Sequence, residues 1–165
     1  MAIFKIKKND YPTLWDITNV IGYVTRTTAT VPELICTHGI YLSTPESMAN
    51  QLFSTKTLCG QTTGRQLYHV ILSFTEKETY DYAQILDIVR AFVSLPDLYG
   101  HQSIAAIHTD KDTPDAHILF NSVNSFTGLK TDLTSLGFWR KQQDLLADYM
   151  LDTYEYSIYY KILYD

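Results

Sequence analysis

The sequence is poor in the features that most quickly place a protein. It holds only two cysteines, five prolines and seven glycines in 165 residues. Cys36 and Cys59 lack the paired spacing of a zinc or redox motif and are read as reduced thiols of an intracellular compartment. No glycine-rich loop follows an early strand, which argues against a parallel, doubly wound nucleotide-binding fold. No apolar run approaches the length of about 18 residues that a membrane span needs. The first eight residues carry lysines after their apolar positions and have no hydrophobic stretch of the secretory kind. Internal repeats, low-complexity tracts and linkers are absent. The reading is therefore one domain over residues 1–165, long enough to bury a core.

Positive charge is also scarce. The formal net charge is −5, which excludes a generic polyanion-coating protein. The balance is uneven. Residues 1–70 hold six Lys/Arg against four Asp/Glu, residues 71–130 four against eight, and residues 131–165 three against six. If a polyanion binds, it is expected at the N-terminal part and next to a metal ion that supplies extra positive charge.

What is present is a hydrophobic content of 45% arranged in alternating strand and helix patterns. Residues 2–7 read as a first strand. A helix opens near Pro12 and carries Leu14, Ile17, Ile21 and Val24 at helical spacing. Residues 33–41 read as a strand. A second helix starts at Ser43, with Glu46 three positions on, and runs to about residue 57. Residues 67–74 form a strand with His69, Ile71 and Ser73 on one face. Thr79 caps a third helix that runs to residue 93. A last helix spans about 134–152, and residues 154–164 read as a final strand. Strands separated by helices and ending in a hairpin indicate an α+β domain. The expected architecture is a central antiparallel sheet with helices packed on one face.

The densest chemistry lies in His108-Thr-Asp110-Lys-Asp112-Thr-Pro114-Asp115-Ala-His117-Ile-Leu-Phe-Asn121. Upstream, residues 103–107 read as a buried strand; downstream, residues 115–121 alternate with period two. The aspartates and Pro114 between them favour a turn. The result is a β-hairpin in which His108 ends one strand and Asp115 and His117 begin the next. Cross-strand neighbours lie about 5 Å apart, so His108, Asp115 and His117 are candidates to converge on one divalent ion.

This segment, continued to Asn124, resembles the third motif of plasmid and conjugative-transposon relaxases, mobilisation nucleases of the HUH class. Leu67-Tyr-His69-Val-Ile-Leu-Ser73-Phe74 resembles that family's His-x-x-x-Ser-Phe strand. Ile21-Gly-Tyr23-Val-Thr-Arg26 resembles the helix end that carries its nucleophilic tyrosine. The resemblance implies a ferredoxin-like fold of the relaxase type, here as the N-terminal nuclease domain of a longer protein or as the whole chain. It implies that Tyr23 attacks a phosphate of single-stranded DNA at a transfer origin, leaving a 5′-phosphotyrosyl link. It implies a divalent metal held by His108, Asp115 and His117. The family usually carries histidine where this chain has Asp115, and some relaxases vary at this position. A carboxylate makes the site harder and favours Mg²⁺ or Mn²⁺.

Supporting candidates are Asp110, as the partner that orients His108, together with His69 and Asn121. Arg26, Lys56 and Arg65 are candidate contacts to DNA phosphates. Tyr11 is the nearest competitor to Tyr23. The expected setting is the bacterial cytoplasm, with origin DNA and accessory DNA-processing proteins as partners and no membrane. A replication initiator of the same chemistry is disfavoured, because Tyr149 and Tyr154 lack a lysine three residues on. The alternative is a catalytically degenerate, non-enzymatic DNA-binding or assembly module on the same fold.

Overall fold

A computed structural model of the chain describes residues 2–74, 80–154 and 160–164. The elements are β1 (Ala2–Ile6), α1 (Leu14–Val24), a 3₁₀ turn (Pro32–Leu34), β2 (Ile35–His38), α2 (Pro45–Leu58), β3 (Leu67–Ser73), α3 (Tyr82–Val93), β4 (His101–His108), β5 (Asp115–Asn124), α4 (Leu136–Tyr154) and β6 (Tyr160–Tyr164). The strands form one sheet in the order β2-β4-β5-β3-β1-β6. All neighbours are antiparallel except β1 and β6, which are parallel. No helix among the described residues is long and apolar enough to cross a membrane.

The α+β class and the antiparallel centre agree with the sequence reading. The helices, however, cover both faces of the sheet rather than one. The reason lies in β3, β4 and β5, which are buried along nearly their whole length. Strands that are apolar on both sides need a layer on each side. Tyr68, Val70, Ala105, Ile107, Ile118 and Phe120 point toward α3 and α4, where they meet Ile88, Phe92, Trp139 and Met150. Trp139 is fully buried, and its indole N–H donates to the Leu133 carbonyl at 2.6 Å. The alternate positions Leu67, Ile104, Ala106 and Leu119 point toward α1 and α2, where they meet Ile17, Ile21, Met48 and Leu52. That second core is smaller. On the same face, β3, β4 and β5 go on to carry histidines where α1 ends.

The helix starts show how caps decide boundaries. Thr13, not the Asn9–Pro12 stretch, caps α1. Its hydroxyl accepts from the Asp16 N–H while the Asp16 carboxylate accepts from the Thr13 N–H, a reciprocal capping box. Thr44 caps α2 in place of Ser43, with Pro45 in the first turn. Asp81 caps α3 with Gln84 as its reciprocal partner, while Thr79 lies outside the described residues. The strand expected over 33–41 shortens to β2, because Pro32 sets a 3₁₀ turn before it.

One buried polar contact ties α2 to the sheet. Lys56 is wholly buried, and its Nζ donates to the Gln66 carbonyl at 2.6 Å and to Asn121 Oδ1. The Asn121 amide in turn donates to the Leu52 carbonyl at 3.2 Å and to Gln102 Oε1 at 2.8 Å. Burial, helped slightly by the nearby Lys130, pulls the Lys56 ammonium down to about 7. An unfolded lysine keeps its proton to about pH 10.4. Folding therefore releases a proton between those values, and stability rises with pH across that window. Urea melts at pH 7, 8 and 9 check this. Wild-type unfolding free energy should climb relative to Lys56→Met over the series. Parallel pH profiles for the two proteins would contradict the assignment.

Candidate active site

The β4–β5 hairpin forms with His108 opposite Asp115 and Ala106 opposite His117. On the other side of β5, His117 sits opposite Ile71 and Asp115 opposite Ser73 of β3. Because strand side chains alternate, His69, His108, Asp115 and His117 all emerge on the face that carries α1. The His108 and His117 rings stack with centroids 4.1 Å apart. His69 Nε2 and His117 Nδ1 are 3.0 Å apart. Beyond them, the Tyr11 hydroxyl lies 3.1 Å from His69 Nδ1. Tyr11 holds a left-handed φ of 48°, uncommon for a side chain of its size.

Tyr23 lies in the last turn of α1, half-exposed. Its ring stands edge-on to both histidines, 5.8 Å from His108 and 5.7 Å from His117. Two contacts put it there. His108 Nε2 donates to the Val24 carbonyl at 2.8 Å, satisfying an acceptor that the helix end leaves open. The Arg26 guanidinium donates to the Tyr23 carbonyl at 2.7 Å, pairs with Asp110 at 3.0 Å, and lies 4.3 Å over the Tyr23 ring. The following segment is pinned to the hairpin by the Thr109 N–H, which donates to the Ala29 carbonyl at 2.8 Å.

The histidines are neutral at ordinary pH. Burial, reinforced by Lys7 and His108, pushes His69 down to about 4. Burial, then His108 and His69, pushes His117 down to about 2. His108 is lowered by burial, partly opposed by its bond to the Val24 carbonyl. Burial pushes the Tyr11 phenol up to about 12, so it stays protonated. Neutral imidazoles keep lone pairs for a cation. Since a carbonyl only accepts, His108 carries its proton on Nε2 and leaves Nδ1 as its lone pair. Among the described residues, no three His, Cys, Asp or Glu side chains already stand as a closed metal-ligand group. His69 and His117 are instead paired with each other, and Asp115 bonds Lys111 at 3.0 Å.

Tyr23, His69, Asp115 and His117 line one cleft of about 390 Å³, together with Lys5, Lys7, Tyr11 and Lys111. The cleft is basic although the chain is acidic. Lys5 faces it because Phe4 and Ile6 take the opposite side of β1 into the core. Lys5 and Lys7 come from the mildly basic N-terminal region and Lys111 from the more acidic middle of the chain. Lys5, Lys7 and Lys111 were not among the candidates.

Four other candidates have different places. Asp110 bonds Arg26, not His108, so it braces the tyrosine turn rather than orienting the imidazole. Asn121 lies about 13 Å along β5 from His117 and serves the buried contact with Lys56, which itself is inaccessible to a phosphate. Arg65 pairs with Asp10 at 2.7 Å and donates to the carbonyls of Asn9 and Lys8 at 3.0 Å, so it holds the segment before α1. Arg26 alone of the three proposed phosphate contacts stands beside Tyr23.

Comparison with known proteins bears on the fold and on the family. A solved structure described as "Molecular Basis of Vancomycin Resistance Transfer in Staphylococcus aureus" shares the fold, with a TM-score of 0.62 over 98% of this chain and 97% of that one, at 10% identity. No curated protein sequence matches significantly. The family described as "Relaxase: MobA/VirD2-like, nuclease domain" matches residues 23–152, beginning at the tyrosine over the histidines. The chain belongs to this MobA/VirD2-like relaxase nuclease family, DNA-nicking enzymes by class.

Proposed function

We propose that this protein nicks single-stranded DNA at a transfer origin by attack of Tyr23, for plasmid or transposon mobilisation. The observation that carries the reading is the place of Tyr23: half-exposed at the mouth of a basic cleft, with its ring against His108 and His117. In the step, the Tyr23 oxygen forms a bond to phosphorus and the bond to O3′ breaks. The phenolic proton is given up, and the leaving O3′ ends as a hydroxyl. The 5′-phosphotyrosyl link conserves the phosphodiester for later rejoining. Arg26 and Lys111 supply positive charge around the phosphate, and Lys5 and Lys7 line the approach.

The family's divalent ion fits the donor chemistry present. The neutral imidazoles of His108 and His117 offer lone pairs to a cation, and the Asp115 carboxylate on the same face makes the donor set harder, toward Mg²⁺ or Mn²⁺. His108, Asp115 and His117 would hold it, and His69 would orient His117 through their hydrogen bond. When bound, such an ion acts as a Lewis acid on a phosphate oxygen and fixes geometry for in-line attack. Asp115 must then exchange its bond to Lys111 for the cation.

Two experiments test this. Origin-derived oligonucleotides labelled at the 3′ end are incubated with Mn²⁺ or with EDTA and run on a denaturing gel. Label should stay on the wild-type protein with Mn²⁺ only, and should vanish in Tyr23→Phe while oligonucleotide binding stays within about twofold, since the substitution removes only the hydroxyl. Label retained by Tyr23→Phe would contradict the nucleophile. DNA binding with no labelled protein under any condition would favour the non-catalytic module. Separately, calorimetric titration with Mn²⁺ should show affinity falling about 10–100-fold in His117→Ala, at least as much as loss of an orienting partner costs. Unchanged affinity would remove His117 from the ligand set.

A further inference from the structure

We infer a base-stacking subsite at Trp15, which takes one unstacked base of the strand whose phosphate lies at Tyr23. The inference rests on the reading of single-stranded DNA as substrate. Trp15 lies in the first turn of α1 and is 73% exposed. It is off the helix face formed by Ile17, Val20, Ile21 and Val24, so the core makes no use of it. Its exposed indole offers a rigid aromatic surface on which a base can stack.

Trp15 borders a second cleft, of about 410 Å³, whose walls include Pro12, Asn19, Asn9, Tyr11 and Val20. The last three also line the cleft that holds Tyr23. The two are therefore neighbours, with Tyr11 in the wall of both and its hydroxyl 3.1 Å from His69 Nδ1. The carboxylates near Trp15 are already engaged. Asp10 pairs with Arg65 at 2.7 Å, and Asp16 closes the helix cap with Thr13. Asn9 and Asn19 remain as amides able to meet the edge of a base.

Distance suits the same strand. Trp15 and Tyr23 are eight residues apart on one helix, about 12 Å along its axis. That spans about three or four stacked nucleotides, and fewer in a stretched strand. Lysines along one cleft and an exposed indole over the next reproduce the pairing of phosphate track and aromatic platform by which proteins bind single strands.

Fluorescence anisotropy with labelled dT20 and with a 20-unit abasic backbone tests the subsite apart from nicking. Trp15→Ala should weaken dT20 binding about 5–150-fold, the range for loss of one stacked base, and leave abasic binding unchanged. Trp15→Tyr should restore most of the dT20 affinity. The salt dependence should keep its slope, because no phosphate contact is lost. Equal dT20 binding by wild type and Trp15→Ala would overturn the subsite, even if Tyr23 forms its adduct. An equal loss on both polymers would also overturn it, since the indole would then serve the backbone. Wild-type protein that binds neither polymer would overturn the subsite and the substrate reading together. A selective loss with no adduct at Tyr23 would uphold the subsite and count against the nicking mechanism alone.

Discussion

The hydrogen bond from His108 Nε2 to the Val24 carbonyl, 2.8 Å long, is the contact on which the site depends. It joins the end of one helix to the end of one strand, elements 84 residues apart in sequence. It sets where Tyr23 stands and which nitrogen of His108 is protonated. With Nε2 committed to the carbonyl, Nδ1 is left as the lone pair. A helix end normally leaves its last carbonyls to water or a cap. Here that unmet acceptor fixes an imidazole. Asp110 reinforces the same junction through Arg26, which grips the Tyr23 carbonyl and covers its ring.

A second constraint is electrostatic. An acidic chain that handles an acidic polymer must gather its cations in one place. Alternation along β1 sends Phe4 and Ile6 into the core and presents Lys5 on the opposite face. Lys111 reaches the same cleft from the hairpin turn and meets Asp115. That pair bears on the departure at Asp115. The carboxylate has a cationic partner four residues away, so its charge is balanced before any metal binds. Burial meanwhile keeps His69 and His117 uncharged, so the cleft floor adds no positive charge of its own and is poised for a cation.

Much of this could be read from residues alone, and the failures have physical causes. The hairpin was legible because period-two alternation and an Asp/Pro turn agree, and His108 does end one strand where Asp115 begins the next. The second helical layer was not, because His69, His117 and Asn121, which alternate with apolar positions on β3 and β5, read in sequence as an uncovered polar face and are buried in the fold. Lys56 and Asn121 misled for a related reason. A lone lysine near a helix end looks like surface charge, and only the fold reveals the carbonyl and amide that bury it. Asp110 was assigned to the wrong partner because sequence proximity favoured His108 two residues away, whereas Arg26 comes from across the chain. Cap positions slipped by a residue or more wherever several Ser, Thr or Asp side chains competed, as at Ser43 and Thr44.

Tyr23 and Tyr11 both line the cleft, which makes the identity of the nucleophile the sharpest question. Trypsin cleaves after Lys8 and after Arg26, with no lysine or arginine between, so both tyrosines fall on one peptide. The covalent protein–DNA product, trimmed by nuclease and digested, is therefore read by fragment-ion mass spectrometry of that peptide. The account predicts the nucleotide mass on Tyr23, with Tyr11 unmodified and held at His69. Nucleotide on Tyr11, or on any residue outside residues 9–26, would contradict it.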